Sequence, residues 1–178
     1  MPEERVGEAF ELGEQLTVLG RKLLPGEPAP DFQLDYLDPG DSSIHHMQLA
    51  DSAGIVRLLN VVNSIDTPVC HVETHRWEQI ASEFPPDVHV YTISMDLPFA
   101  LARWQAAEGV AHQALSTHRS EQFGEAYGVL IKEWRLLQRA VFVIDRQDRI
   151  IYTQYVADQM SEPNYDLAVE VVRQSLTS

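Results

Sequence analysis

The stretch that most constrains this chain is Ile55–Val62, IVRLLNVV, which is apolar almost throughout. A half-solvated strand would alternate apolar and polar residues. A continuous apolar run of this length instead suits a strand buried on both faces of a parallel or mixed sheet. Such a strand requires neighbours beside it and cover above and below. Val88–Ser94 reads as a second strand of this kind, and Val141–Ile144 and Ile150–Val156 as a third and fourth, joined by a turn at Asp145–Arg149. Helical spacing lies between them. It is carried by Val69, Val72, Trp77, Ile80 and Phe84, then by Leu101, Ala102 and Ala106, and briefly by Phe123, Ala126 and Tyr127. Leu167, Ala168, Val171, Val172 and Leu176 share one face of a last helix, with Asn164 as its N-cap. Upstream, Ala9–Leu19 reads as a hairpin turning near Gly13-Glu14. The prolines of LLPGEPAPDFQL favour an extended connector into a strand near Phe32–Leu37. The pattern is α/β, a central mixed sheet with helices on both faces. The 178 residues are expected to form a single domain, 1–178.

Charge excludes several classes of partner. With 27 acidic residues against 13 lysines and arginines, the net charge of −14 repels nucleic-acid backbones and anionic membranes. There is no basic stripe, and no apolar run nears the roughly 18 residues that cross a bilayer. The first residues, MPEERVGEAF, lack the basic-then-apolar order of a secretory signal, so a cytoplasmic setting is expected.

Chemistry concentrates around the only cysteine, Cys70, which can form no disulfide within the chain. It stands in LLNVVNSIDTPVCHVETHRWEQI, where the buried strand ends and a helix begins. Thr67 is a favoured N-cap, and Pro68 fits the first helical position, where a missing N–H costs nothing. Cys70 then falls in the first turn. Free N–H groups and the positive end of the helix dipole favour a thiolate there. Cysteines so placed drop from about 8.5 into the range of roughly 3.5–7.5. Thr67, three residues earlier, shares its face.

SIDTPVC resembles the active-site motif of bacterial thiol peroxidases, a branch of the peroxiredoxins. MDLPFALARW with the AAEG after it, LSTHRSEQFGEAYGV and LLQRAVFVIDRQDRIIYTQ resemble the same family in order and spacing, as do the hairpin and PGEPAPDFQL. The resemblance covers nearly the whole chain. It implies a thioredoxin-like fold and reduction of hydrogen peroxide and organic hydroperoxides, with no haem, flavin or metal. It also implies a homodimer and recycling by thioredoxin. Cys70 would be the peroxidatic cysteine, which becomes a sulfenic acid. Thr67 would hydrogen-bond the sulfur and peroxide, and Arg139 would activate the thiolate and stabilise the transition state.

Two positions depart from that pattern. The family commonly carries a resolving cysteine where this chain has Gln105. An external thiol, from thioredoxin or a small molecule, would therefore have to attack the sulfenic acid, a one-cysteine route. The family's motif also has a proline seven residues before the cysteine, where this chain has Asn63. An amide there needs partners if buried, and the expectation is a wetter or reshaped pocket that bears on catalytic speed and leaves Cys70 more open to over-oxidation. These departures support a second reading, a non-catalytic family member serving as redox sensor, binding module or chaperone-like dimer.

Two further groups stand near the cysteine. His71 and His75 lie four apart on the helix, with Glu73 between them. Only two ligands converge, so a surface role is favoured over a metal site. Trp77, two turns beyond Cys70, reads as packing.

Overall fold

A computed structural model describes all residues from Met1 to Ser178. Its centre is a seven-stranded mixed sheet. The strands of the sheet are β3 (Gln33–Leu37), β4 (Ile44–Gln48), β5 (Val56–Val61), β6 (Val88–Ser94), β7 (Gln113–Ser116), β10 (Ala140–Ile144) and β11 (Ile150–Tyr155). Their spatial order is β11-β10-β5-β6-β7-β3-β4. The middle strands β5, β6 and β7 are parallel. Antiparallel strands close both sides, β10 and β11 beyond β5, and β3 and β4 beyond β7. Every residue of β5 is buried, as the apolar run predicts.

Two crossovers connect the parallel strands. Helix α1 (Pro68–Glu83) leads from β5 to β6, and α2 (Pro98–Glu108) leads from β6 to β7. Leu58 and Val90, adjacent in register, pack with Trp77 of α1 and with Ala168 and Val172 of α4 (Tyr165–Leu176). Thr92 and Ala114 continue the same face, where Ala114 meets Leu101 and Trp104 of α2. All three long helices therefore share one face of the sheet. Leu59, Ile93 and Phe142 point the other way, onto Phe123 of the short helix α3 (Gln122–Ala126) and onto Leu19, Leu130 and Leu137. Those leucines belong to a second, four-stranded sheet whose spatial order is β1 (Glu4–Glu11), β2 (Glu14–Leu19), β8 (Leu130–Ile131) and β9 (Leu136–Leu137). Helices thus lie on both faces, but unequally.

The N-terminal hairpin pairs β1 (Glu4–Glu11) with β2 (Glu14–Leu19). Its first arm starts five residues earlier than the apolar pattern at Ala9 suggests. That arm is mostly solvated and bulges between Val6 and Ala9, so periodicity marks it poorly. Leu12 and Gly13 both take positive φ at the tip, the conformation of a tight hairpin turn. The hairpin docks where Gly20 and Gly128 face the backbone of Glu125 and Arg21. A Cβ at either glycine would collide with a carbonyl oxygen. The strands β4, β7, β8 (Leu130–Ile131) and β9 (Leu136–Leu137) carry no strong sequence pattern. The first is an edge strand of mixed exposure and the others span two to four residues.

Candidate active site

The turn between β5 and α1 is held from outside. Asp96, just after β6, accepts hydrogen bonds from the Ser64 hydroxyl (2.8 Å), the Ile65 N–H (3.0 Å) and the Ser94 hydroxyl (2.7 Å). Inside that turn Thr67 caps α1, with its hydroxyl oxygen 3.4 Å from the Cys70 N–H, and Pro68 opens the helix. These are the capping roles read from the sequence. The Thr67 hydroxyl proton goes to the Ser64 carbonyl (3.1 Å). It is the turn, and not the sulfur, that holds this hydroxyl.

Cys70 is fully covered, at 0% exposure. Arg139, immediately before β10, is buried to 1% and donates from Nη1 to Cys70 Sγ at 3.1 Å. The structure thus brings together Cys70 and Arg139, 69 residues apart in sequence. A charged donor binds a sulfur anion more strongly than a neutral thiol. The same Nη1 also bonds Glu73 Oε2. Glu73 is completely buried, one turn beyond Cys70 on the face of α1 that looks inward. Burial pushes its carboxyl up to about 7, against the pull of Arg139 in the opposite direction. Glu73, which lies between His71 and His75 in sequence, therefore faces the core and not the histidine surface. The i, i+3 spacing from Cys70 was the signal that could have placed it.

The other edge of the guanidinium is held by two groups. Nη2 donates to Asn63 Oδ1 at 3.1 Å and to the Gln159 carbonyl at 2.9 Å. Asn63 is 3% exposed, and its Nδ2 donates to the Leu137 carbonyl (2.6 Å) and to Gln159 Oε1 (3.0 Å). The expectation of a wetter pocket at this position is corrected here, because protein groups take both ends of the amide and Cys70 is sealed. Gln159 was missed altogether. It lies in a loop after β11 with no motif around it, and only the folded chain brings it to the site.

Gln105, in place of a resolving cysteine, lies on α2 and donates to the His112 carbonyl at 2.8 Å. It fastens the end of its helix. On the surface His75 Nε2 lies 3.2 Å from Glu108 of α2, and His71 packs edge-on against His75. The His75–Glu108 contact ties α1 to α2, and it corrects the count of two converging ligands, since ligand atoms of His71, His75 and Glu108 lie within 4.8 Å of one another. Trp77 is core, edge-on to Tyr165.

A buried cysteine in the first turn of a helix, bonded by a buried arginine immediately before β10, is the constellation that SIDTPVC and LLQRAV suggest. The AhpC/TSA family model matches residues 25–153. The chain belongs to the AhpC/TSA family. Among its curated relatives, the thiol peroxidase of Bacillus subtilis (strain 168) is 43% identical over 162 residues, 90% of this chain and 93% of that protein. The thiol peroxidase of Streptococcus parasanguinis is 42% identical over 163 residues, 91% and 96% of the two chains. A peroxiredoxin-like protein from Aquifex aeolicus superposes with a TM-score of 0.82 at 30% identity, covering 96% of this chain and 99% of that one. The fold is that of this family, a thioredoxin-like α/β sheet. No helix is long and apolar enough to cross a membrane.

Proposed function

We propose that this AhpC/TSA protein is a thiol-dependent peroxidase whose reacting atom is Cys70 Sγ. The observation that carries the reading is the Arg139 Nη1 to Cys70 Sγ bond of 3.1 Å, made at the first turn of α1. The sulfur anion attacks one oxygen of hydrogen peroxide or an organic hydroperoxide. An S–O bond forms and the O–O bond breaks. The departing oxygen takes a proton and leaves as water or an alcohol. Sulfur is oxidised to a sulfenic acid and the peroxide is reduced. Arg139 serves here as the donor that holds sulfur and follows the charge moving onto oxygen. Thr67 serves by fixing the turn that delivers Cys70, and its hydroxyl is free to turn from Ser64 to a bound peroxide.

With no second cysteine, reduction comes from outside. One external thiol attacks the sulfenic sulfur and releases water. A second thiol then frees Cys70 and leaves as a disulfide. Thioredoxin and a low-molecular-weight thiol both supply this chemistry. A homodimer in the cytoplasm completes the reading. Exposed Val72, Leu97 and Phe99 are apolar groups that a second copy would cover. Because Cys70 is covered, a local opening precedes its contact with peroxide.

The test is rapid mixing of reduced protein with hydrogen peroxide, followed by tryptophan fluorescence, sulfenic-acid trapping and intact mass. A second-order constant above roughly 10⁴ M⁻¹s⁻¹, within the range of working enzymes, is expected. A Cys70→Ser variant that consumes peroxide as fast as the parent would sink the reading.

A further inference from the structure

Arg139 carries its charge in a sealed site, and its guanidinium must present one edge to sulfur. Nη1 faces Cys70 and Glu73, while Nη2 faces Asn63 Oδ1 and the Gln159 carbonyl. Losing the second pair would free the plane to rotate about its long side chain. Nε makes no hydrogen bond that would resist the rotation.

The orientation of the Asn63 amide is fixed by its partners. Its nitrogen meets two acceptors, the Leu137 carbonyl and Gln159 Oε1. Turned over, it would set oxygen against both and its own N–H groups against a guanidinium. Oδ1 therefore faces Arg139. Gln159 is fixed in the same way. Its Oε1 accepts the Arg139 backbone N–H at 2.9 Å as well as the Asn63 amide. Its Nε2 donates to the Val156 and Ala157 carbonyls at 2.7 and 3.0 Å. Asn63 and Gln159 thus form one closed network around the backbone and side chain of a single residue.

We propose that Asn63, with Gln159, is a positioning residue for the peroxide reaction, holding the Arg139 guanidinium in register with Cys70. The inference rests on the peroxidase reading above and deepens it. A proline at this position has neither the acceptor nor the donors. The chain has exchanged an apolar ring for a hydrogen-bonded clamp, and its rate depends on that amide.

A double-mutant cycle on the peroxide step tests this, using Asn63→Ala, Arg139→Gln and the two combined, with thermal melts of each. Asn63→Ala is expected to slow Cys70 oxidation about tenfold or more, the scale set by misplacing a reacting group. Added to Arg139→Gln, it is expected to change the rate less than about twofold, since coupled residues are not additive. A second readout is the pH profile of Cys70 alkylation by iodoacetamide. It moves to higher pH in Asn63→Ala and moves no further when Arg139 is already absent. Glu73, the carboxylate on the same guanidinium, is present in every variant compared. Should Asn63→Ala fail to fold, Asn63→Pro removes the same amide and the cycle is run on it. A rate within about twofold of the parent, or an equal loss in both backgrounds, overturns the positioning role and leaves the peroxidase reading standing. A parent protein inert to peroxide overturns that reading and the role of Asn63 with it.

Discussion

Two arginines in this molecule are equally buried, each at 1% exposure, and they are satisfied in opposite ways. Arg57, on the central strand β5, donates to the Ser52 and Ile55 carbonyls at 2.8 and 2.7 Å and pairs with Asp148. That carboxylate is 46% exposed, so the charge of Arg57 is balanced by a group that keeps its water. Arg139 is instead hydrogen-bonded to Glu73, which is 0% exposed, and to Cys70. The first arrangement closes off the end of a strand. The second keeps an acid, a cation and a thiol together without solvent, where each electrostatic term is larger and each missing partner costs more. Equal burial therefore says little about function; the difference lies in whether the acidic partner is sealed in and whether a thiol shares the cation.

The comparison is sharpest in rate. Arg139→Gln is expected to slow peroxide oxidation of Cys70 by about 10²–10³, the usual loss for one transition-state donor. Arg57→Met is expected to leave that rate within about twofold, since it touches no reacting group. Stopped-flow oxidation of both variants, side by side, measures this. Equal losses would erase the distinction between the two sites.

The second contrast is in pH. Because burial raises the Glu73 carboxyl from 4.5 to about 7, the folded state holds a proton there that the unfolded chain has released. The sign follows from linkage: stability from this group is complete below about pH 4.5 and is lost as pH rises through about 7. The loss is on the order of 3 kcal/mol, at 1.36 kcal/mol per pH unit. Glu73→Gln should flatten this decline in urea unfolding compared at pH 5 and pH 8. A parent whose stability rises across that interval would show that Arg139 outweighs burial.

A smaller effect is expected at the structural arginine. Arg57→Met strands two carbonyls near Ser52 and Ile55 and should lower stability by about 1–3 kcal/mol, read from denaturant midpoints. Smallest is Asp148→Asn. Its partner keeps both carbonyl acceptors, and its own side chain stays solvated, so a loss below about 1 kcal/mol is expected. A loss at Asp148 as large as one at Glu73 would mean that exposure of the counter-charge does not separate the two pairs.

Much of the fold was legible because it is written locally. The apolar run of β5, the matching run of β6, the amphipathic α4 and its Asn164 cap all appear where periodicity and capping place them. Cys70 was legible for the same reason. The strand end, Thr67, Pro68 and the first turn of α1 lie within a dozen residues, and short-range rules govern each of them. Arg139 emerged only through resemblance, since an arginine before a strand is by itself unremarkable. Glu73 was given no role by the sequence. His71 and His75 stand beside it in sequence, while helical spacing turns it inward, onto Cys70 and Arg139.

Asn63 shows where the sequence stops. Its departure from the motif was plain, yet whether it wets or reshapes the site was not, because an amide's effect depends on what meets it. Its partners are Leu137, Arg139 and Gln159, between 74 and 96 residues away. The sequence by itself determined a buried mixed sheet, a strand–turn–helix unit with its cysteine in the first turn, and dependence on an outside thiol. Only the tertiary structure decided which charge faces that sulfur, which carboxylate shares it, and that Asn63 closes the site. Backbone periodicity and capping act over a few residues, whereas satisfying a buried cation requires groups that only the completed sheet brings within hydrogen-bond reach.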